Sequence, residues 1–258
     1  MRLIAEIGIN HSGELAKAKT LISSAAACDC WGVKFQYRSL YNFYASIDEI
    51  GDGILYEDLE KCQLSISQII GLTLYAQQLG LKVGVSFFRA EDVNDFGMEI
   101  KNFDFFKVPS AECLNTELIE LLLSFAKDVL VSTGGHLFPD IQQSLVRYKN
   151  EITILHCIAN YPTKMGNQQL GAISELKKLG FKSVGYSSHD EDFEMCMFAM
   201  SYGLDYLERH ITLDKKANGL DHSSSSDIAE FKRLGKLSNS IKAIMNYDAE
   251  FINQGELI

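Results

Sequence analysis

Eight short apolar runs, spread along the whole chain and separated by longer amphipathic stretches, constrain the fold more than any other feature. They are Leu3–Ile9, Gly32–Phe35, Lys82–Ser86, Asp104–Val108, Val129–Ser132, Ile152–Cys157, Ser183–Tyr186 and Asp205–Arg209. Few polar residues interrupt them, as expected of parallel strands covered on both faces. The stretches between them have helical spacing. Leu15–Cys28 puts Leu15, Ala18, Leu21, Ile22 and Ala25 on one face. Ser65 and Gly80 bracket a second helix, and Asn115 precedes a third through Phe125. Leu170–Leu179, Asp192–Tyr202 and a helix from Asp227 through Ile244 follow.

Eight such units in 258 residues take about 32 each, the size of a strand-loop-helix unit. The predicted fold is α/β, a single (β/α)8 TIM barrel over residues 1–258 with no second domain. An open doubly wound sheet is the runner-up, but no G-x-G-x-x-G follows the first strand. A formal net charge of −10 argues against nucleic acid and anionic membranes as partners. No apolar run approaches the ~20 residues that span a bilayer, and Glu6 comes too early for a signal-peptide core. Six scattered cysteines without zinc spacing read as reduced thiols of a cytoplasmic protein.

A barrel gathers the carboxyl ends of its strands on one face, where barrel enzymes act. The residues there are rich in ionisable and hydroxyl groups. His189 and His210 end neighbouring strands, and two imidazoles suit manganese, iron, cobalt or zinc. Lys34 and Lys107 supply positive potential in an acidic protein, with Ser110, Ser132 and Ser187 as hydroxyl donors and the amides of Thr133, Gly134 and Gly135 as an anion-binding turn. The alternative is that the lysines snorkel from the mouth. Glu6 is expected to point into the mouth as an acid/base group. His156, inside an apolar strand, reads as a packed histidine. Asp190-Glu191-Asp192 reads as favouring the next helix N-terminus. Glu208 and Arg209 are expected to pair with each other or with neighbours, and neither is assigned to catalysis. Tyr37, Tyr41, Phe43 and Tyr44, in a long second loop, roof the site or face a partner chain.

Several segments carry a resemblance. They are Ala5–His11, Val33–Gln36, Phe106–Cys113, Ser132–Gly134, Leu155–Cys157 with Tyr161–Thr163, Gly185–His189, Leu207–Asp214 and Asp221–Ser223. In this order they resemble the sialic acid synthase family, which condenses phosphoenolpyruvate with N-acetylmannosamine or a related aldose on an eight-stranded barrel. The resemblance implies catalytic roles for Glu6 and Lys107. It assigns Lys34, Lys107, Ser110, Ser132 and Ser187 to phosphoenolpyruvate. Gln36, Glu112, Tyr161 and Asp221 fall at the sugar. His189 and His210 fall at a divalent metal, manganese first, with magnesium or cobalt as alternatives. The implied partners are the two small substrates, and a homodimer is left open.

Phe87 stands where the family commonly has a phosphate-binding threonine, and Ala159 where relatives often have a polar residue. Many relatives carry an antifreeze-like domain that lends an arginine to the partner's sugar site. No arginine follows Arg233 here, so the chain alone is expected to be a slow or incomplete synthase. A metal-dependent pyruvate aldolase and a catalytically silent, ligand-binding barrel are the alternatives.

Overall fold

The computed structural model describes residues 1–40, 57 and 59–246. Eight parallel strands close into a barrel in sequence order, which excludes the open sheet. They are β1 (Arg2–Glu6), β2 (Gly32–Tyr37), β3 (Lys82–Phe87), β4 (Phe105–Val108), β5 (Asp128–Ser132), β6 (Ile152–Cys157), β7 (Ser183–Ser188) and β8 (Tyr206–His210). Closure is made by β8 returning to β1, with Ile4 opposite Glu208 and Glu6 opposite His210. The first strand ends at Glu6 rather than Ile9, because Gly8 turns the chain at φ +50°. Its amide then donates back to Glu6 Oε1 at 2.6 Å.

Among the described residues the α-helices are α1 (Leu15–Ala27), α2 (Ile66–Gln78), α3 (Ala90–Asn94), α4 (Thr116–Leu123), α5 (Phe138–Leu145), α6 (Gly171–Lys178), α7 (Glu194–Met200) and α8 (Ile228–Met245). Ser65 with Gln68 and Asp227 with Glu230 form capping boxes, and Asn115 accepts from the Leu118 amide. Spacing did not single out α3 or α5. The first is one short turn, and the second opens on a proline with a narrow apolar face. Among the described residues, no helix is long and apolar enough to cross a membrane. The six cysteines are free.

Alternation along the strands divides the core in two. Outward residues such as Leu3, Val33, Val85, Phe106, Val131 and Leu207 pack under the helices. Inward, Ile4, Phe105, Leu130, Leu155 and Tyr206 fill the lower barrel and rest on Trp31. Arg2 lies against both Trp31 and Tyr206, 5.2 and 4.9 Å from the ring centres, and seals the amino-terminal end. This plug needs glycines opposite its largest members. A Cβ at Gly84 would meet the Phe105 ring at 2.2 Å, and one at Gly185 would meet Leu155 at 2.4 Å. Gly84→Ala is therefore expected to cost about 1–3 kcal/mol through overpacking. Urea unfolding measures it, and an unchanged midpoint would show that the ring has room to move.

The same alternation corrects two expectations. Phe87 faces outward, fully buried against Tyr37, Phe96 and Phe106, so it replaces no ligand in the mouth. Tyr37 also turns outward. Its hydroxyl donates to Asp95 at 2.9 Å, so it does not roof the site. Tyr41, Phe43 and Tyr44 lie outside the described residues.

Candidate active site

One step of two residues above the plug, the inward positions change character. Ile4 gives way to Glu6, Gly32 to Lys34, Gly84 to Ser86, Phe105 to Lys107, Leu130 to Ser132, Gly185 to Ser187 and Tyr206 to Glu208. All of these upper residues are buried. Lys34 ion-pairs with Glu6, donates to Ser86 Oγ at 2.5 Å and lies 3.9 Å from Glu208. Lys107 donates to Glu208 Oε1 at 3.1 Å, and Ser187 Oγ donates to the same oxygen at 3.0 Å. Two cations and two carboxylates thus interlock on the barrel floor. Ser132 Oγ is buried there without a hydrogen-bond partner among the described residues, an orphan that a ligand or water would satisfy.

Burial shifts these groups against their neighbours. Desolvation pushes the Lys34 ammonium down to about 7, opposed by Glu208 and reinforced by Lys107. Burial also works against the Glu208 charge, but Lys107 and Lys34 outweigh it and hold the carboxyl well below its usual range. Burial raises Asp221 to about 6, against the pull of Arg38 and Lys34.

His189 and His210 stand side by side at the rim, ring centres 5.4 Å apart, and the Tyr161 ring lies 4.0 Å from that of His189. The Ile158 carbonyl accepts from His189 Nδ1 at 3.1 Å, which leaves Nε2 with its lone pair. His210 Nδ1 is buried without a hydrogen-bond partner among the described residues, 3.4 Å from Asp221 Oδ2. Burial keeps both rings neutral, His189 at about 4 and His210 well below its usual value. Neutral imidazole is the ligating form. Among the described residues, no third His, Cys, Asp or Glu completes a cluster with them.

Behind the histidines, on the helix-facing side, Arg209 is fully buried. It donates to Ser226 Oγ at 3.0 Å, Ser188 Oγ at 2.9 Å and the Asp190 carbonyl at 2.8 Å. One guanidinium therefore ties together the segments that carry both histidines. Asp190 is part of this network, accepting from Tyr186 and Ser188 at 2.8 and 2.6 Å. That corrects its reading as a helix N-terminal charge, since α7 begins four residues later.

Other expected residues go elsewhere. Glu112 sits in a 3-10 turn, and its carboxylate accepts from Asn115 at 2.9 Å instead of lining the cavity. Of the three amides expected to form an anion-binding turn, that of Thr133 donates to the Leu155 carbonyl and that of Gly134 to Ser110 Oγ. His156 is a packed histidine, bonded to the Gln168 carbonyl at 2.7 Å and stacked on Tyr186. Glu208 belongs at the centre, and sequence reasoning passed over it. Its signal was its place two residues before His210, on the same face of one strand.

The floor opens upward, past Gln36, Ser110, Tyr161 and His210, into an outer chamber of about 460 Å³. Asp221, Arg38, Phe88 and Leu220 line that chamber.

Residues 21–249 match the model of the NeuB family. The N,N'-diacetyllegionaminic acid synthase of Campylobacter jejuni is 31% identical over 250 residues, covering 90% of this chain and 73% of that protein. The N-acetylneuraminate-9-phosphate synthase of Mus musculus is 31% identical over 259 residues, covering 94% of this chain and 69% of that protein. In fold, the chain superposes on an N-acetylneuraminic acid synthetase of Leptospira borgpetersenii with a TM-score of 0.84 at 24% identity, covering 99% of this chain and 90% of that one. With the family match spanning all the strands but the first, and two named sugar-acid synthases aligned over nine-tenths of its length, the chain belongs to the NeuB family.

Proposed function

We propose that this chain condenses phosphoenolpyruvate with an N-acetylated aldose, N-acetylmannosamine or a related sugar, and releases phosphate and a 2-keto-3-deoxy sugar acid. The observation that carries this reading is the buried floor of Lys34, Lys107, Glu6 and Glu208 beneath two neutral histidines and an open chamber. Two ammonium groups and the Ser132 and Ser187 hydroxyls suit a small dianion held deep in the barrel. Gln36, Tyr161 and Asp221, higher up, suit the polyol. Ser110 lies between the two levels.

His189 and His210 fit a divalent ion, since burial favours the neutral form of both rings and His210 Nδ1 is a buried orphan among the described residues. They would hold manganese, or magnesium or cobalt, with oxygen ligands from substrate and water. The bound ion would polarise the sugar aldehyde. The floor residues do the rest. The third carbon of phosphoenolpyruvate attacks the aldehyde, and positive charge develops at its second carbon. Glu208 and Glu6 face that charge. Water adds to the second carbon and Glu6 takes one of its protons, which goes on to the former aldehyde oxygen; the tetrahedral adduct then expels phosphate toward Lys34 and Lys107, its hydroxyl proton leaving with the phosphate as the ketone forms. Positioning and charge supply most of the rate. Six free thiols support a cytoplasmic site of action.

The test is phosphate release from phosphoenolpyruvate, in step with sugar-acid formation, using N-acetylmannosamine and manganese. Equal product from pyruvate, without phosphoenolpyruvate, would transfer the reading to an aldolase. The aldolase needs the histidines but leaves the second lysine and the serines unexplained.

The Lys34 ammonium adds a pH signature. Its folded pKa of about 7 means that the free enzyme carries the charge below that pH and loses it above. The kcat/KM for phosphoenolpyruvate should therefore fall as pH rises through 7, while kcat, measured with the anion bound beside the lysine, falls later. A flat kcat/KM from pH 6 to 9 would contradict this assignment.

A further inference from the structure

The two named relatives are equally similar to this chain at 31%, yet by name one makes a 9-phosphate and the other an N,N'-diacetyl sugar acid. Overall identity does not say which kind of acceptor belongs here. The chamber does, on the condensation reading above. We propose that the acceptor is an unphosphorylated N-acetylated sugar whose distal end carries neutral, partly apolar substituents.

A terminal phosphate brings about −1.5 to −2 charges at neutral pH and needs cations or a cluster of amides to receive it. Among the described residues lining the chamber, Arg38 is the only lysine or arginine. Lys34 and Lys107 are below, paired with Glu6 and Glu208. Arg38 itself packs over Phe88, 3.7 Å from the ring centre, and its charge is offset by Asp221 in the same chamber. Beside the polar Gln36, Ser110, Tyr161, His210 and Asp221, the wall carries an apolar stretch that suits methyl and acetamido groups. Ile9, Leu59, Phe88, Ala159 and Leu220 form much of it. Ala159, which looked like a lost polar contact, fits this wall.

The experiment uses the full chain with manganese and phosphoenolpyruvate. It compares kcat/KM for N-acetylmannosamine, its 6-phosphate and a 2,4-diacetamido-6-deoxyhexose. The unphosphorylated sugar should exceed its phosphate by at least tenfold, and the diacetamido sugar should do no worse than N-acetylmannosamine. Leu220→Arg, which adds a cation to the wall, should narrow the gap toward the phosphate. A wild-type chain that prefers the 6-phosphate, or handles both alike, overturns the proposal while leaving the condensation intact. Turnover of none of the three is a failure of the condensation reading. Calorimetry of the same sugars on the chain saturated with manganese and phosphoenolpyruvate then decides the acceptor class, with tighter binding of the phosphate as the overturning result.

Discussion

Lys107→Met is expected to raise KM for phosphoenolpyruvate by about ten- to a hundredfold while leaving KM for the sugar nearly unchanged. A charge-assisted hydrogen bond contributes roughly 1.5–3 kcal/mol, and each 1.36 kcal/mol is a factor of about ten. The substitution also leaves Glu208 buried beside one cation instead of two, since Lys107 is its nearer partner at 3.1 Å. Removing one member of a buried pair typically costs about 3–5 kcal/mol of stability. The two effects separate in the double variant Lys107→Met/Glu208→Gln. Neutralising the stranded carboxylate should recover much of the urea midpoint, but the weak binding of phosphoenolpyruvate should persist. If the single variant unfolds more easily yet binds phosphoenolpyruvate normally, the lysine is only an anchor for the barrel floor.

His189→Ala and His210→Ala should each remove the tight manganese signal from an electron paramagnetic resonance titration and lower kcat by about a thousandfold. A metal polarising a carbonyl contributes several kcal/mol, which is of that order. The fold should persist, because neither ring belongs to the apolar plug or to the outer core. Full turnover after exhaustive chelation would overturn the assignment. Arg209→Lys belongs in the same series. It keeps the charge but loses the fork that joins Ser226, Ser188 and the Asp190 carbonyl. It should weaken manganese binding while leaving KM for phosphoenolpyruvate largely intact.

The barrel was legible because buried parallel strands write themselves as short apolar runs, and eight of them closed in order. Strand ends were less legible. Ile7 and Ile9 continue an apolar run, but Gly8 at φ +50° ends the strand between them. The site was legible where a residue type is costly to bury without purpose, as for Lys34, Lys107, His189 and His210. It was not where the direction of a side chain decides. Phe87 and Ser86 are adjacent, yet only Ser86 faces the lysine. Glu208 and Arg209 look like a natural pair in the sequence, but they lie on opposite faces of β8 and serve different networks. Counting inward positions by twos from Ile4, Phe105 and Tyr206 separates them. Glu112 shows a different limit. A 3-10 turn just past the strand swings it onto Asn115, and no strand periodicity reports on that.

The apolar plug has a kinetic consequence. Among the described residues, Ile4, Phe105, Leu130, Leu155 and Tyr206, backed by Trp31 and Arg2, close the amino-terminal end and make the barrel a cul-de-sac that opens at the opposite rim. On the proposed placement the enol phosphate occupies the blind end and the sugar stands in the doorway. The deep ligand must then enter first, and the phosphate it leaves behind must wait until the sugar acid has gone. Steady-state analysis should show an ordered pattern, with inorganic phosphate competing against phosphoenolpyruvate alone. Random entry would mean that the plug is not the closed floor described here.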